Sequence, residues 1–333
     1  MKITEMDFSE MAQPVDALTN EVVSKQCTET RREIHIYQRE VVAKYYDRSY
    51  IRDFPLSGFE STVRKVLDYC LAEHPGPVNL FEGGTGTGLF SIPVVDYLFR
   101  RDSESTFFGV DNSQPMLNVF FQKPAIQTYQ RIHPQRISIV YNDLEQPLGL
   151  PQANFDIILL AGVLHCLNDP QSCLRQLDQL LKPGGYLIMV FKTDDFTRMQ
   201  SGVGYTNSDS DSKYGKFWRQ YHELRDKVKV KIDPKCRFVY DVYLAHEIIN
   251  RLLNKKYCFL KTEQIKWDSI ANYAKMIFSI EHGLTFATGQ GVDPKLQEKL
   301  GDEMKKWATI NSMQNMEILI EHNMEMVVWK KEG

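Results

Sequence analysis

The chain has almost no charge surplus of either sign: 40 Lys and Arg stand against 43 Asp and Glu, a formal −3 with His neutral. A protein that neutralises a phosphate backbone needs excess cation, so nucleic acid is not an expected partner. Cysteine is sparse and unpatterned. The six residues, Cys27, Cys70, Cys166, Cys173, Cys236 and Cys258, form no C-x-x-C pair and no Cys/His zinc spacing. That pattern argues against a metal site and a secreted disulfide framework, and points to a reducing, cytoplasmic setting. Long apolar runs are missing too, with none reaching the roughly 18 residues of a membrane helix. The first residues carry acids at Glu5, Asp7 and Glu10, where a secretory signal would carry positive charge and then an apolar core. No membrane partner is expected. What remains is 333 residues, 43% hydrophobic and 25% charged, enough for one large globular domain or two smaller ones.

Apolar runs at 78–81, 106–110, 137–141 and 155–161 alternate with helical patterns. A fifth, 186–191, follows the turn Lys182-Pro183-Gly184-Gly185. Strands buried on both faces and separated by helices predict a doubly wound α/β sheet. Residues 258–267 and 324–329 would add a sixth and a seventh strand, making it mostly parallel and seven-stranded. The first 70 residues, with breaks near Pro55 and Gly58, read as helical, and we take 1–60 as a cap on a sheet domain spanning 61–333. Residues 201–216 are rich in Gly, Ser and Asp and predict a loop; 242–253 and 270–320 predict helix, the latter broken at 283–293. Insertions at about 193–253 and 268–320 would then lie on the substrate side.

The most informative segment is Glu82-Gly83-Gly84-Thr85-Gly86-Thr87-Gly88, where the first strand runs into a glycine turn and then a helix. A phosphate-binding loop would need Gly-Lys-Ser/Thr here, and Leu89 and Phe90 follow Gly88 instead. A dinucleotide fingerprint fails in both registers, because Leu89 or Ser91 stands where its last glycine belongs. An acid followed by alternating glycines, Glu82-x-Gly84-x-Gly86-x-Gly88, resembles motif I of the class I S-adenosylmethionine-dependent methyltransferases. The later strands continue the resemblance in order. The second ends Asp111-Asn112-Ser113-Gln114-Pro115-Met116, the third Asn142-Asp143-Leu144, and the fourth runs through Ala161 to His165 and Cys166.

The resemblance covers roughly 60–192 and implies a Rossmann-like sheet binding S-adenosylmethionine, with S-adenosylhomocysteine as product. It implies Glu82 near the methionine amino group, Gly83, Gly84, Gly86 and Gly88 in the turn, and Asp111 on the ribose hydroxyls. Asn112 and Met116 would lie beside Asp111, Asp143 and Leu144 would hold adenine with Asn142 as a weaker candidate, and Ala161 would line the site. Asp111 taken alone would read as a cap for the helix after it. The segment 44–50 resembles the family's Tyr-Asp segment and implies Tyr46 and Tyr50 over the methionine end.

Methyl transfer needs alignment more than a fixed catalytic set. Where a hydroxyl or ammonium is the acceptor, a base must take its proton, and His165 beyond the fourth strand is the candidate, or else a packing residue there. The Asn/Asp-Pro-Pro-Tyr run of planar-amine methylases is replaced by Leu160-Ala161-Gly162-Val163. We therefore expect transfer to oxygen or nitrogen of a small molecule by a monomer or homodimer. Tyr205, Trp218, Tyr221 and Tyr273 are candidates for the acceptor pocket, or else core. A peptide or protein methyltransferase, or a non-catalytic module binding the same cofactor, are the alternatives.

Overall fold

The computed structural model describes residues 38, 40–50, 56–167, 169–192, 216–224 apart from 218 and 222, 256–281, 294–315 and 317–333. Helices α1 (Glu40–Tyr50) and α2 (Leu56–Cys70) precede a regular alternation: β1 (Asn79–Gly83), α3 (Ser91–Arg101), β2 (Thr106–Asp111), α4 (Gln114–Gln122), α5 (Pro124–Ile132) and β3 (Ile137–Tyr141). Then come β4 (Phe155–Ala161), a short 3-10 turn (Leu164–Cys166), α6 (Pro170–Leu180), β5 (Leu181–Lys192) and β6 (Tyr257–Asn272). The chain closes with α7 (Tyr273–Glu281), α8 (Pro294–Ile310) and β7 (Glu317–Lys331). The strands form one seven-stranded sheet in the order β3-β2-β1-β4-β5-β7-β6. The first five are parallel, and β7 is antiparallel to both its neighbours. This is the doubly wound, Rossmann-like sheet the alternation predicts.

Alternate residues of each strand serve opposite faces, which is why the central runs are apolar throughout. Ile157 and Leu159 of β4 pack with Val66, Leu67, Val95 and Leu98 of α2 and α3. Their neighbours Ile158 and Leu160 pack with Leu174 and Leu177 of α6. The edge strand β3 lacks this double cover, and Val140 and Tyr141 are exposed.

Two boundaries differ from expectation. Ile270 and residues 317–320 belong to strands, where the sequence predicts helix. They pair across the β6–β7 ladder, Ile270 with Leu319 and Ala271 with Ile318. The ladder hydrogen-bonds the backbone across distant segments, so long-range pairing overrides local helix propensity. The Lys182–Gly185 turn is an irregularity inside β5: Phe155 pairs with Leu181, and the next pair is Ile157 with Tyr186. Of the loop predicted at 201–216, residues 201–215 lie outside the described residues and Lys216 is helical; the helix predicted at 242–253 lies outside them too. Among the described residues, no helix is long and apolar enough to cross a membrane.

A separate apolar cluster lies in the region expected to hold insertions. Phe217, Tyr221, Met276, Ile277, Ile280, Leu300, Met304 and Ala308 are buried together, with Met313 closing one end.

Candidate functional site

The sheet order reverses beside β1, whose neighbours are β2 on one side and β4 on the other. Loops leaving the carboxyl ends of these strands run to opposite faces, and a crevice opens between them. A pocket occupies that crevice. Among the described residues its lining contains Tyr46, Gly84, Gly86, Asp111, Asn112, Met116, Asp143, Leu144 and Ala161. Each of these nine is a cofactor candidate from the sequence. Glu145, Gly162, Val163, Cys166 and Leu167 complete the lining and were not singled out beforehand.

The glycine turn is shaped by backbone strain that only glycine relieves. Gly84 has φ +72°, and a Cβ there would meet Val163 Cγ2 at 2.3 Å. Gly88 has φ +85°, and a Cβ would meet the Phe120 ring at 2.7 Å. Gly86 has φ +53° with nothing within 4 Å of where a Cβ would lie. The turn therefore bends against its own core at two glycines and leaves bare backbone beside the pocket at the third. The amides of Gly84 and Thr85 donate to the Val110 carbonyl at 2.7 and 3.2 Å, pinning the turn to β2.

Asp111 ends β2 with both carboxylate oxygens engaged by main chain. The Gly86 amide donates to Oδ2 at 2.7 Å and the Ser113 amide to Oδ1 at 2.8 Å. The carboxylate thus locks the glycine turn to the start of α4. Burial raises its pKa, and the two amides oppose that rise. The helix cap is Ser113, whose Oγ accepts from the Met116 amide at 3.2 Å, with Pro115 in the first turn. Asp111 is left with spare lone pairs toward the pocket, since an ionised carboxylate has about four acceptor positions.

The loop after β3 is ordered by its own polar side chains. Asn142 Oδ1 accepts from the Asp143 amide at 2.8 Å, and Asp143 Oδ1 from the Glu145 amide at 2.9 Å. Gln176 of α6 donates to the carbonyls of Leu144 and Gln146 at 3.0 and 3.1 Å and accepts from the Leu148 amide at 2.9 Å. Leu144 is thereby held against the pocket while buried.

Four candidates lie elsewhere. Glu82 is 1% exposed and outside the lining, and its Oε2 accepts from Ser91 Oγ at 2.5 Å beneath the turn. Burial pushes its carboxyl up to about 8; the Ser91 hydroxyl opposes that, and the Asp111 carboxylate adds to it. Gly83, Gly88 and Asn142 shape the surrounding backbone without entering the lining. Tyr50 ends α1 and His165 lies in the 3-10 turn between the lining residues Val163 and Cys166, but the side chains of both are outside the described residues. Of the acceptor candidates, Tyr205 and Trp218 fall outside the described residues. Tyr221 is wholly buried in the α7–α8 cluster, with Tyr273 partly buried against it, and neither lines the pocket.

A family model described as a methyltransferase domain matches residues 81–187, the span from β1 into β5 that builds this pocket. The chain contains a methyltransferase domain. The polyketide synthase-nonribosomal peptide synthetase phmA of Phaeosphaeria nodorum is 28% identical to it over 150 residues, 44% of this chain and 4% of that protein. Fusarielin synthase FSL1 of Gibberella zeae is 28% identical over 159 residues, 47% of this chain and 6% of that protein. The chain thus spans a small part of the curated relatives it matches. Among solved structures, the plantazolicin methyltransferase BpumL, crystallised with a desmethyl substrate analogue and S-adenosylhomocysteine, superposes with a TM-score of 0.49 at 13% identity, covering 95% of this chain and 99% of that one. The matched span includes the glycine turn and the strand-end acids Asp111 and Asp143, and leaves α1, α7 and α8 outside it.

Proposed function

We propose that this methyltransferase domain binds S-adenosylmethionine in the crevice beside β1 and transfers its methyl group to oxygen or nitrogen of a small-molecule acceptor. The observation that carries the reading is the convergence, in one pocket, of bare glycine backbone, a main-chain-locked carboxylate at Asp111 and the Asp143-Leu144 edge.

These groups fit the cofactor on structural grounds. Asp111 has acceptor capacity left for a ribose diol, since its two amide partners occupy only part of it. Asp143 and Leu144 border the same space and suit a flat base with an exocyclic amine. Bound there, the cofactor would supply a methyl carbon already activated on sulfur. The protein's part is alignment and exclusion of water, with Tyr46 and an apolar wall of Val163 and Leu167 in the lining. His165, in the turn beside that wall, is placed in our reading to accept the proton of an acceptor hydroxyl or ammonium.

The two relatives are named as a polyketide synthase-nonribosomal peptide synthetase and a fusarielin synthase. That supports a small organic acceptor and agrees with the absence of cationic surplus. The test is titration with S-adenosylhomocysteine in a calorimeter, followed by incubation of small-molecule extracts with methyl-labelled cofactor. Saturable binding and a product heavier by one methyl are expected. No binding would sink the reading. Replacement of His165 by Ala should lower turnover about a hundredfold, and unchanged turnover at every pH would remove it as the base.

A further inference from the structure

Helix α1 faces three different partners through three consecutive residues. Tyr45 meets the Phe278 ring of α7 edge-on at 4.8 Å between centroids. Tyr46 lines the pocket. Asp47 accepts from the buried Thr87 hydroxyl at 2.5 Å through Oδ1 and pairs with Lys123 Nζ at 2.8 Å through Oδ2. Successive helical side chains project about 100° apart, so one short helix can serve three surfaces only if its rotation is fixed.

Apolar packing alone fixes it weakly: Val42 and Ala43 rest on Met116 of α4, with Tyr46 and Val119 around them. Such a contact permits sliding. The Asp47 pair does not, because its partners belong to separate elements. Thr87 sits inside the glycine turn between Gly86 and Gly88, and Lys123 joins α4 to α5. Exposed ion pairs contribute little, but here the Asp47 and Lys123 side chains are 23% and 15% exposed. Thr87 is 1% exposed. Removing the carboxylate would leave a largely desolvated ammonium without its partner, so the pair resists opening.

We propose that Asp47 is the positioning residue that latches α1 across the glycine turn and the α4–α5 junction, holding Tyr46 against the cofactor pocket. It acts through Tyr46 and does not itself enter the lining. Where a ligand is concerned, this inference rests on the proposed function. The latch itself is a property of the free protein.

The test uses the full chain. Amide hydrogen exchange is compared between wild type and Asp47→Asn, and S-adenosylhomocysteine release is timed in wild type, Asp47→Asn, Tyr46→Ala and the double variant. Exchange should quicken along residues 40–50 and stay unchanged in β1 and β4. Release should quicken roughly tenfold in Asp47→Asn, the worth of one charge-assisted hydrogen bond. Adding Asp47→Asn to Tyr46→Ala should change release by less than about twofold, since a residue acting through Tyr46 has nothing left to position. Unchanged exchange in α1, or a full tenfold effect in the Tyr46→Ala background, overturns the proposal. If Asp47→Asn does not fold, Lys123→Met removes one arm of the latch and is judged by the same criteria. If wild type binds no S-adenosylhomocysteine, the functional reading fails, and the latch is decided by exchange alone.

Discussion

The crevice beside β1 and the cluster between α7 and α8 are both buried, yet they are built on opposite plans. In the crevice, position is set by polar and backbone features: the three left-handed glycines of the turn after β1, a fourth at Gly162, an aspartate held by two amides, and an Asn-Asp ladder in the loop after β3. In the helical cluster most of the buried contact is side-chain volume, with Met276, Met304 and Met313 among the buried residues, while a Lys305–Glu281 ion pair and an edge-on Phe217–Trp307 contact join its parts. Hydrogen bonds and positive φ angles define one geometry, whereas methionine packs in many. The contrast separates a half whose geometry is set largely by hydrogen bonds and positive φ angles from one packed largely by methionine.

The sharpest way to break that contrast is Gly84→Ala. A left-handed alanine and a clash with Val163 together cost about 2–5 kcal/mol. Thermal unfolding should shift down, and S-adenosylhomocysteine binding should vanish from calorimetry. Retained affinity would mean that the turn is not rigid. In the other half, Met304→Ala should cost about 2–4 kcal/mol, because it opens a cavity at a fully buried site. Its effect should appear as faster hydrogen exchange in α7 and α8, with S-adenosylhomocysteine affinity held within about twofold. A large loss of affinity would show the halves to be one mechanical unit.

Asp111→Ala removes the acceptor of two proposed ribose bonds and should weaken that binding about a hundredfold. Asp111→Asn should lie between wild type and Ala, having one acceptor oxygen left.

The gentlest probe is pH. Because the folded-state pKa of Glu82 is raised to about 8, its protonated form stabilises the fold fully below the unfolded value near 4.5. That contribution is lost as pH rises toward about 8, at no more than about 1.4 kcal/mol per pH unit. Glu82→Gln should flatten this part of the stability curve between pH 5 and 8 in urea melts. An unchanged slope would show that the Glu82 carboxyl does not titrate in the folded protein over that range.

Much of the crevice was legible in the chain because its residues are local in sequence: an acid and alternating glycines after one strand, an acid at the end of the next. The same signals leave the seat of Glu82 open, since spacing puts an acid beside the turn but cannot say which side of it the carboxyl occupies. Burial and Ser91 put it beneath. Asp47 lay in plain view within the Tyr-Asp segment. Its partners were unreadable, because nothing in the spacing links it to Thr87 or Lys123. Tyr221 shows the same limit from the other direction: helical spacing of aromatics fits a pocket wall and a core equally, and packing made it core.

By itself the sequence determined the sheet, because strands buried on both faces must be apolar and must be punctuated by turns. It also determined the bend of the glycine turn, which backbone sterics confine to few residue types. Only the tertiary structure decided the length of β6 and β7, the burial of Glu82 and the three-way seating of α1. Each of these depends on groups distant in the chain, whose pairing has no local energetic signature.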